Sequence, residues 1–202
     1  MSPIILFAHG AGAPSASAWM RAWARRLAAL GEVVTFDYPY MKAKRKSPDK
    51  QPVLVAAHAA ALDEARARHG ADRPVVLAGK SMGSRMGCHL AVERGGVTAL
   101  VCFGYPLRSG ATGALRDQVL LALRAPILFL QGSKDPLGPL ADLAAVRERM
   151  TAPNELHVVE GGNHSLEVGK RELAASGRTQ DGEDQAVLAA VRAFLEAHGA
   201  GA

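Results

Sequence analysis

The sequence predicts an α/β protein: a doubly wound, mainly parallel sheet of about six strands with helices on both faces. Three observations predict it. Short apolar runs alternate with amphipathic stretches along the chain. The first of these runs is continuously apolar, as expected for a strand covered on both faces. The length, 202 residues, suits one such domain, 1–202.

The elements follow in order. Residues 3–8 are the first apolar strand. Ser17 is placed to cap a helix over 18–30. Trp19, Met20, Trp23, Leu27 and Leu30 share one side of it, Arg21, Arg25 and Arg26 point elsewhere, and Gly31 suits a C-terminal cap. Residues 32–37 read as the second strand, and 38–52 as a loop rich in Pro and Lys. An Ala-rich helix over 53–69 ends at Gly70. Residues 74–78 are the third strand, 82–94 a helix, and 97–103 the fourth strand. Residues 104–125 read as loop with room for one helix. The fifth strand spans 126–131, a helix 138–150, and the sixth strand 155–159. A last helix from about 185 to 198 buries Val187, Leu188, Val191, Phe194 and Leu195. Right-handed crossovers restrict this succession to a doubly wound sheet. Ligands of such sheets bind outside the carboxyl ends of the strands.

Composition narrows the function classes. With 49% apolar and 21% charged residues, the chain reads as globular rather than disordered. Cys88 and Cys102 are too few for a disulfide framework and read as buried small apolar residues. No apolar run approaches the ~20 residues that span a bilayer. The start of the chain lacks the basic region of a signal peptide, so the expected location is cytoplasmic, with no membrane partner. The net charge is +5. Residues 42–50 carry Lys42, Lys44, Arg45, Lys46 and Lys50 against Asp49, so one loop accounts for nearly all of it. Nucleic-acid binding is not expected, because that charge would be spread along a face and interleaved with aromatics. Composition says nothing of the oligomeric state.

The chemistry lies at the strand ends. The third strand ends in Gly79-Lys80-Ser81-Met82-Gly83, a G-x-S-x-G on a strand–helix junction. The turn strains the serine and projects its hydroxyl above the sheet. The small residues on either side let strand and helix approach. Met82 N–H, at the helix start, points toward a developing oxyanion. Gly79-Lys80-Ser81 also resembles the end of a phosphate-binding loop, but the glycine required five residues earlier is Pro74.

The fifth strand ends in Gln131-Gly132-Ser133-Lys134-Asp135-Pro136, and the sixth in Glu160-Gly161-Gly162-Asn163-His164-Ser165. A serine hydroxyl is a poor nucleophile at neutral pH. It needs a histidine to take its proton and a carboxylate to orient that imidazole. Ser81, His164 and Asp135 each follow their own strand, so they converge on one crevice. The first strand ends in His9-Gly10-Ala11-Gly12-Ala13, where Ala11 N–H is the natural second oxyanion donor.

These motifs resemble the α/β-hydrolase superfamily, and within it the small, lidless, dienelactone-hydrolase-like branch. The resemblance rests on HGAGA, GKSMG, GSKDPLG and GGNHSL and covers nearly the whole chain. It implies a minimal α/β-hydrolase fold with no lid domain. It also implies a serine hydrolase of nucleophile Ser81, base His164 and acid Asp135, with Met82 and Ala11 as the oxyanion hole. The substrate would be a small acyl ester or thioester, with no cofactor and no metal. The family's usual first two strands are missing. Only about twenty residues separate the fourth and fifth strands, where a lid often inserts, so an open site is expected.

Competing readings stand beside this one. Asp135 suits a helix N-cap, and Asp142 and Glu160 are rival carboxylates. His58, His69 and His198 read as exposed helical residues, His89 as a packing residue, and His9 as support for the oxyanion loop. No His, Cys, Asp or Glu cluster has metal-ligand spacing. His9, Gly10, Tyr105, Leu107 and Met41 are candidates for a substrate pocket. The basic loop at 42–46 either favours anionic substrates or is simply solvated. Gly10-Ala11-Gly12-Ala13-Pro14-Ser15 approaches a dinucleotide fingerprint, but its sixth residue is Ser15 and it leaves the Ser81, Asp135 and His164 set unexplained. The alternative function is a catalytically silent hydrolase fold used as a binding or scaffold protein.

Overall fold

The computed structural model describes residues 1–110 and 113–201. It contains one six-stranded sheet. In chain order the strands are β1 (Ile4–Ala8), β2 (Glu32–Phe36), β3 (Val75–Lys80), β4 (Ala99–Phe103), β5 (Ile127–Gly132) and β6 (Asn154–Val159). Their order across the sheet is β2-β1-β3-β4-β5-β6, and every neighbouring pair is parallel. The helices are α1 (Ala18–Leu27), α2 (Pro39–Lys42), α3 (Gln51–His69), α4 (Met82–Arg94), α5 (Gln118–Leu121), α6 (Leu140–Arg149), α7 (Lys170–Ser176) and α8 (Gln180–Ala197).

Alternation along each strand sends side chains to two separate cores. Leu6, Leu77, Leu100 and Phe129 pack with Leu54, Leu62, Met86 and Val146 of α3, α4 and α6. Ile5, Phe7, Val101 and Leu130 pack with Trp23, Leu27, Val191 and Phe194 of α1 and α8. Both faces are covered, so β1, β4 and β5 are buried at every position, while edge strands β2 and β6 are only partly covered.

The chain runs from β1 outward to β2, then returns across β1 to place β3 on its other side. That reversal makes β1 and β3 the switch point, where a crevice opens above the sheet. Between β4 and β5 the described residues contain only α5, and no inserted domain.

Several element boundaries differ from the sequence expectation. Helix α1 stops at Leu27, three residues short, and a tight turn closed by Leu30 N–H on Leu27 C=O (2.8 Å) follows. Gly31 is not its left-handed cap; a Cβ there would overlap Pro3 C=O, so the residue allows close approach of two strand starts. Ser17 caps α1 as expected, its Oγ accepting from Met20 N–H. Helix α3 begins two residues early, at Gln51, and α2 forms within the expected loop. Helix α8 begins at Gln180, capped by Thr179 Oγ accepting from Gly182 N–H (3.0 Å). Its first turn is polar and so carries no apolar periodicity. Helix α7 was not expected at all, and it buries none of its residues.

Candidate active site

Ser81 sits between β3 and α4 with φ 51° and ψ −113°, a conformation that costs an L-residue free energy. Its surroundings hold it there. A Cβ on Gly79 would overlap Ser84 N, and one on Gly83 would overlap Ala8 C=O. Only glycine at both positions lets α4 begin directly above β3 and against β1. Ser81 N–H donates to Phe103 C=O of β4 (2.9 Å), and Ser84 Oγ donates to Ser81 C=O (2.6 Å).

His164 Nε2 lies 2.8 Å from Ser81 Oγ, and His164 Nδ1 lies 2.7 Å from Asp135 Oδ2. The three residues span 83 positions of sequence yet form one hydrogen-bonded line. Nδ1–H donates to the carboxylate, which leaves Nε2 free to accept the serine proton. Asp135 is 3% exposed, so its charge must be held by donors. Gln131 Nε2 donates to Oδ2 (2.6 Å) and Leu137 N–H to Oδ1 (2.9 Å). Asp135 does not cap α6, whose N-cap is Pro139. Of the rival carboxylates, Asp142 pairs with Arg108 (2.6 Å) and Glu160 accepts from Ser133 Oγ (2.9 Å). Neither is bonded to His164.

The loop bearing His164 is tied down, although its two glycines suggest flexibility. Lys134 N–H donates to Gly162 C=O (2.9 Å), and Asn163 N–H to Glu167 C=O (2.9 Å). Asn163 Oδ1 accepts from Ser165 N–H and Glu167 N–H (2.7 and 3.1 Å). Gly104, at φ 62°, follows β4 directly beneath this loop; a Cβ there would overlap His164 C=O. Lys80 Nζ donates to the same carbonyl and lies 5.5 Å from the Trp19 ring centroid. Burial lowers Lys80 to about 8, against the opposing pull of Asp135 and Glu167.

The loop after β1 is equally constrained. His9 is fully buried: Nδ1–H donates to Gly10 C=O (2.6 Å) and Nε2 accepts from Tyr38 N–H (3.1 Å). Burial lowers its pKa, with the Gly10 bond and Asp37 opposing. Tyr40 Oη donates to Ala11 C=O (2.9 Å). Among the described residues, neither Ala11 N–H nor Met82 N–H has a protein acceptor.

Two clefts meet at Ser81, of about 430 and 410 Å³, and Ala11, Ser81 and Leu137 line both. One runs past Met82, Arg85, Pro106, Arg108 and Arg116. The other runs past Trp19, Met20, Lys80 and His164. The residues expected to line a pocket divide. Gly10 lines the second cleft. Met41 lines a neighbouring one with Ala11, Gly12, Lys44, Arg45 and Lys46, which puts the basic loop beside the site. Tyr105, Leu107 and His9 do not line a pocket: all three are wholly buried, the first two as apolar packing and His9 as loop support.

His58 also departs from expectation. It is wholly buried rather than exposed, its Nδ1 lies 3.1 Å from Tyr38 Oη, and burial pushes it down to about 3. Leu54, His58, Leu62 and Ala65 follow helical spacing, a signal that would have placed it inward. Cys88 and Cys102 are free and buried. Sequence reasoning missed Gln131, Lys80, Gly104 and Arg85. Lys80 and Gly104 act on His164, distant in sequence, and Gln131 joins Asp135, four residues on, to the Tyr105 backbone; only the topology brings these groups together.

Among the described residues, no helix is long and apolar enough to cross a membrane, and no group of three His, Cys, Asp or Glu could hold a metal ion. The fold is shared with solved structures. A Coxiella burnetii alpha-beta serine hydrolase homologue superposes with a TM-score of 0.69 at 21% identity, over 82% of this chain and 78% of that one. A dienelactone hydrolase from Anabaena variabilis gives 0.69 at 19%, over 98% and 87%. A Pyrococcus furiosus esterase gives 0.71 at 15%, over 98% and 82%. A family model described as an alpha/beta hydrolase domain matches residues 1–196, and the chain belongs to that family.

Proposed function

We propose that this protein is a serine hydrolase that cleaves a small acyl ester or thioester through an acyl-enzyme on Ser81. The observation that carries the reading is the hydrogen-bonded line Ser81–His164–Asp135 at the mouth of two clefts. Membership of the hydrolase family and the esterase among its structural neighbours support it.

Ser81 Oγ attacks the carbonyl carbon while His164 Nε2 takes its proton. The carbonyl π pair becomes an oxyanion, held by Ala11 and Met82 N–H; losing such a donor typically costs about 10²–10³ in rate. Asp135 fixes the imidazole tautomer and stabilises the imidazolium. The tetrahedral intermediate collapses, the bond to the leaving oxygen or sulfur breaks, and His164 protonates that atom. Water then attacks the acyl-enzyme, giving its proton to His164, and Ser81 regains the proton as the free acid departs.

Replacing Ser81 with Ala tests the reading. Turnover of p-nitrophenyl butyrate should fall by about 10⁴–10⁶ with the circular dichroism spectrum unchanged. Full activity in Ser81→Ala would overturn it.

A further inference from the structure

The cleft past Met82 holds three arginines, and their partners differ. Arg108 is committed: Nε pairs with Asp142 (2.6 Å) and Nη1 donates to Gly113 C=O (3.1 Å). Asp49, the carboxylate in the cleft wall, is taken by Arg45 (2.6 Å). Among the described residues, the Arg85 side chain, on the first turns of α4, donates only to the neutral Gln51 Oε1 (3.2 Å). Gln51 Nε2 in turn donates to His89 Nδ1 (3.2 Å), so Arg85 is braced but not neutralised. The Arg116 side chain has no hydrogen-bond or ion-pair partner among the described residues. The two guanidiniums are close enough that, after burial, Arg116 is the next cause holding Arg85 below its usual pKa.

Asp49 accepts from Arg45 through Oδ1 alone, its buried Oδ2 bonded to neither Arg85 nor Arg116 among the described residues. Two half-buried like charges facing one cavity with no carboxylate bonded to either are electrostatically costly. A planar anion offering two oxygens removes that cost, because guanidinium forks bind carboxylates bidentately. The geometry of the reaction says which part of the substrate carries it. The leaving atom must lie within reach of His164, which lines the other cleft. The acyl group therefore extends into the cleft of Arg85 and Arg116, which contains Ser81, Met82 and Ala11 but not His164.

We propose that this cleft is an acyl subsite for a carboxylate, and that Arg85 and Arg116 select half-esters of dicarboxylic acids. The assignment rests on Ser81 being the nucleophile for its orientation, but not for the anion site itself. The basic loop at 42–46 adds long-range attraction to the same substrates.

The test compares monoethyl glutarate with ethyl pentanoate, which share the five-carbon acyl chain and differ in the terminal carboxylate. In the wild type, kcat/KM should favour the half-ester by about tenfold or more, the worth of one charge-assisted pair. In Arg85→Gln and in Arg116→Gln that ratio should fall toward one. A merely structural role would depress both esters and leave the ratio alone. Arg116→Gln removes no side-chain bond among the described residues, so it stays informative even where Arg85→Gln folds poorly. A wild-type ratio near one, or an unchanged ratio in both variants, would overturn the proposal. A second arm separates it from the catalytic reading: monoethyl glutarate is titrated calorimetrically into Ser81→Ala. Binding that weakens about tenfold in Ser81→Ala/Arg116→Gln supports the anion site even where no ester is hydrolysed. No binding, or binding indifferent to Arg116, contradicts it.

Discussion

Lys80 is held between a burial penalty and two attractions, from Asp135 and Glu167. With its folded pKa near 8, it gives up its proton there, while in the unfolded chain it keeps the proton to about 10.4. Across that window the unfolded state binds more protons, so stability rises with pH. Relative to Lys80→Met, the wild type should gain stability between about pH 8 and about pH 10, read from urea midpoints. Parallel pH curves for the two proteins would contradict this. Gln131 acts through Asp135: its amide supplies one donor to Oδ2 while its carbonyl accepts from Tyr105 N–H (3.0 Å). Gln131→Leu should lower kcat about tenfold with little change in KM, since it disturbs the orientation of His164 rather than the clefts. The serine, histidine and aspartate were legible because each sits just past its own strand. Gln131 was not, because a glutamine at a strand end has no pattern until its carboxylate partner is placed beside it.

At the scale of elements, the β3–α4 junction determines how the serine is presented. Gly79 and Gly83 are required by backbone atoms, not by flexible side chains, so little can move aside. Gly79→Ala should destabilise by about 1–3 kcal/mol and reduce activity further than that loss explains, because the turn and the oxyanion donor shift together. Thermal melts and activity on the folded fraction check both halves. Strands β1, β3, β4 and β5 were easy to read, being continuous apolar runs flanked by glycine. Helix α7 and the first turn of α8 were not, because residues 170–184 bury almost nothing and periodicity reports burial rather than helicity. Gly31 misled for a related reason: its role is contact with Pro3, across the sheet edge, and the sequence shows only its neighbours in the chain.

For the whole molecule, the sheet separates two cores that share every strand. Leu100 faces one and Leu130 the other, and both are fully buried. We propose that residues 1–202 form one cooperative domain. Leu100→Ala and Leu130→Ala should each cost about 2–5 kcal/mol, and in each the fluorescence and circular dichroism transitions should shift together. Separated transitions would show that the two layers unfold independently. The doubly wound topology was legible from strand–helix alternation together with the right-handed crossover rule. The division of the site into two clefts was not, because Leu137, Ala11 and the arginines come from separate loops and a helix.

The central claim is that Ser81 is a nucleophile activated by His164. Labelling with a fluorophosphonate, followed by peptide mass mapping, tests it most directly. The account predicts a single phosphonyl adduct on Ser81 that is lost in His164→Ala while the fold persists. No adduct on folded protein, an adduct on another serine, or undiminished Ser81 labelling in His164→Ala would contradict it.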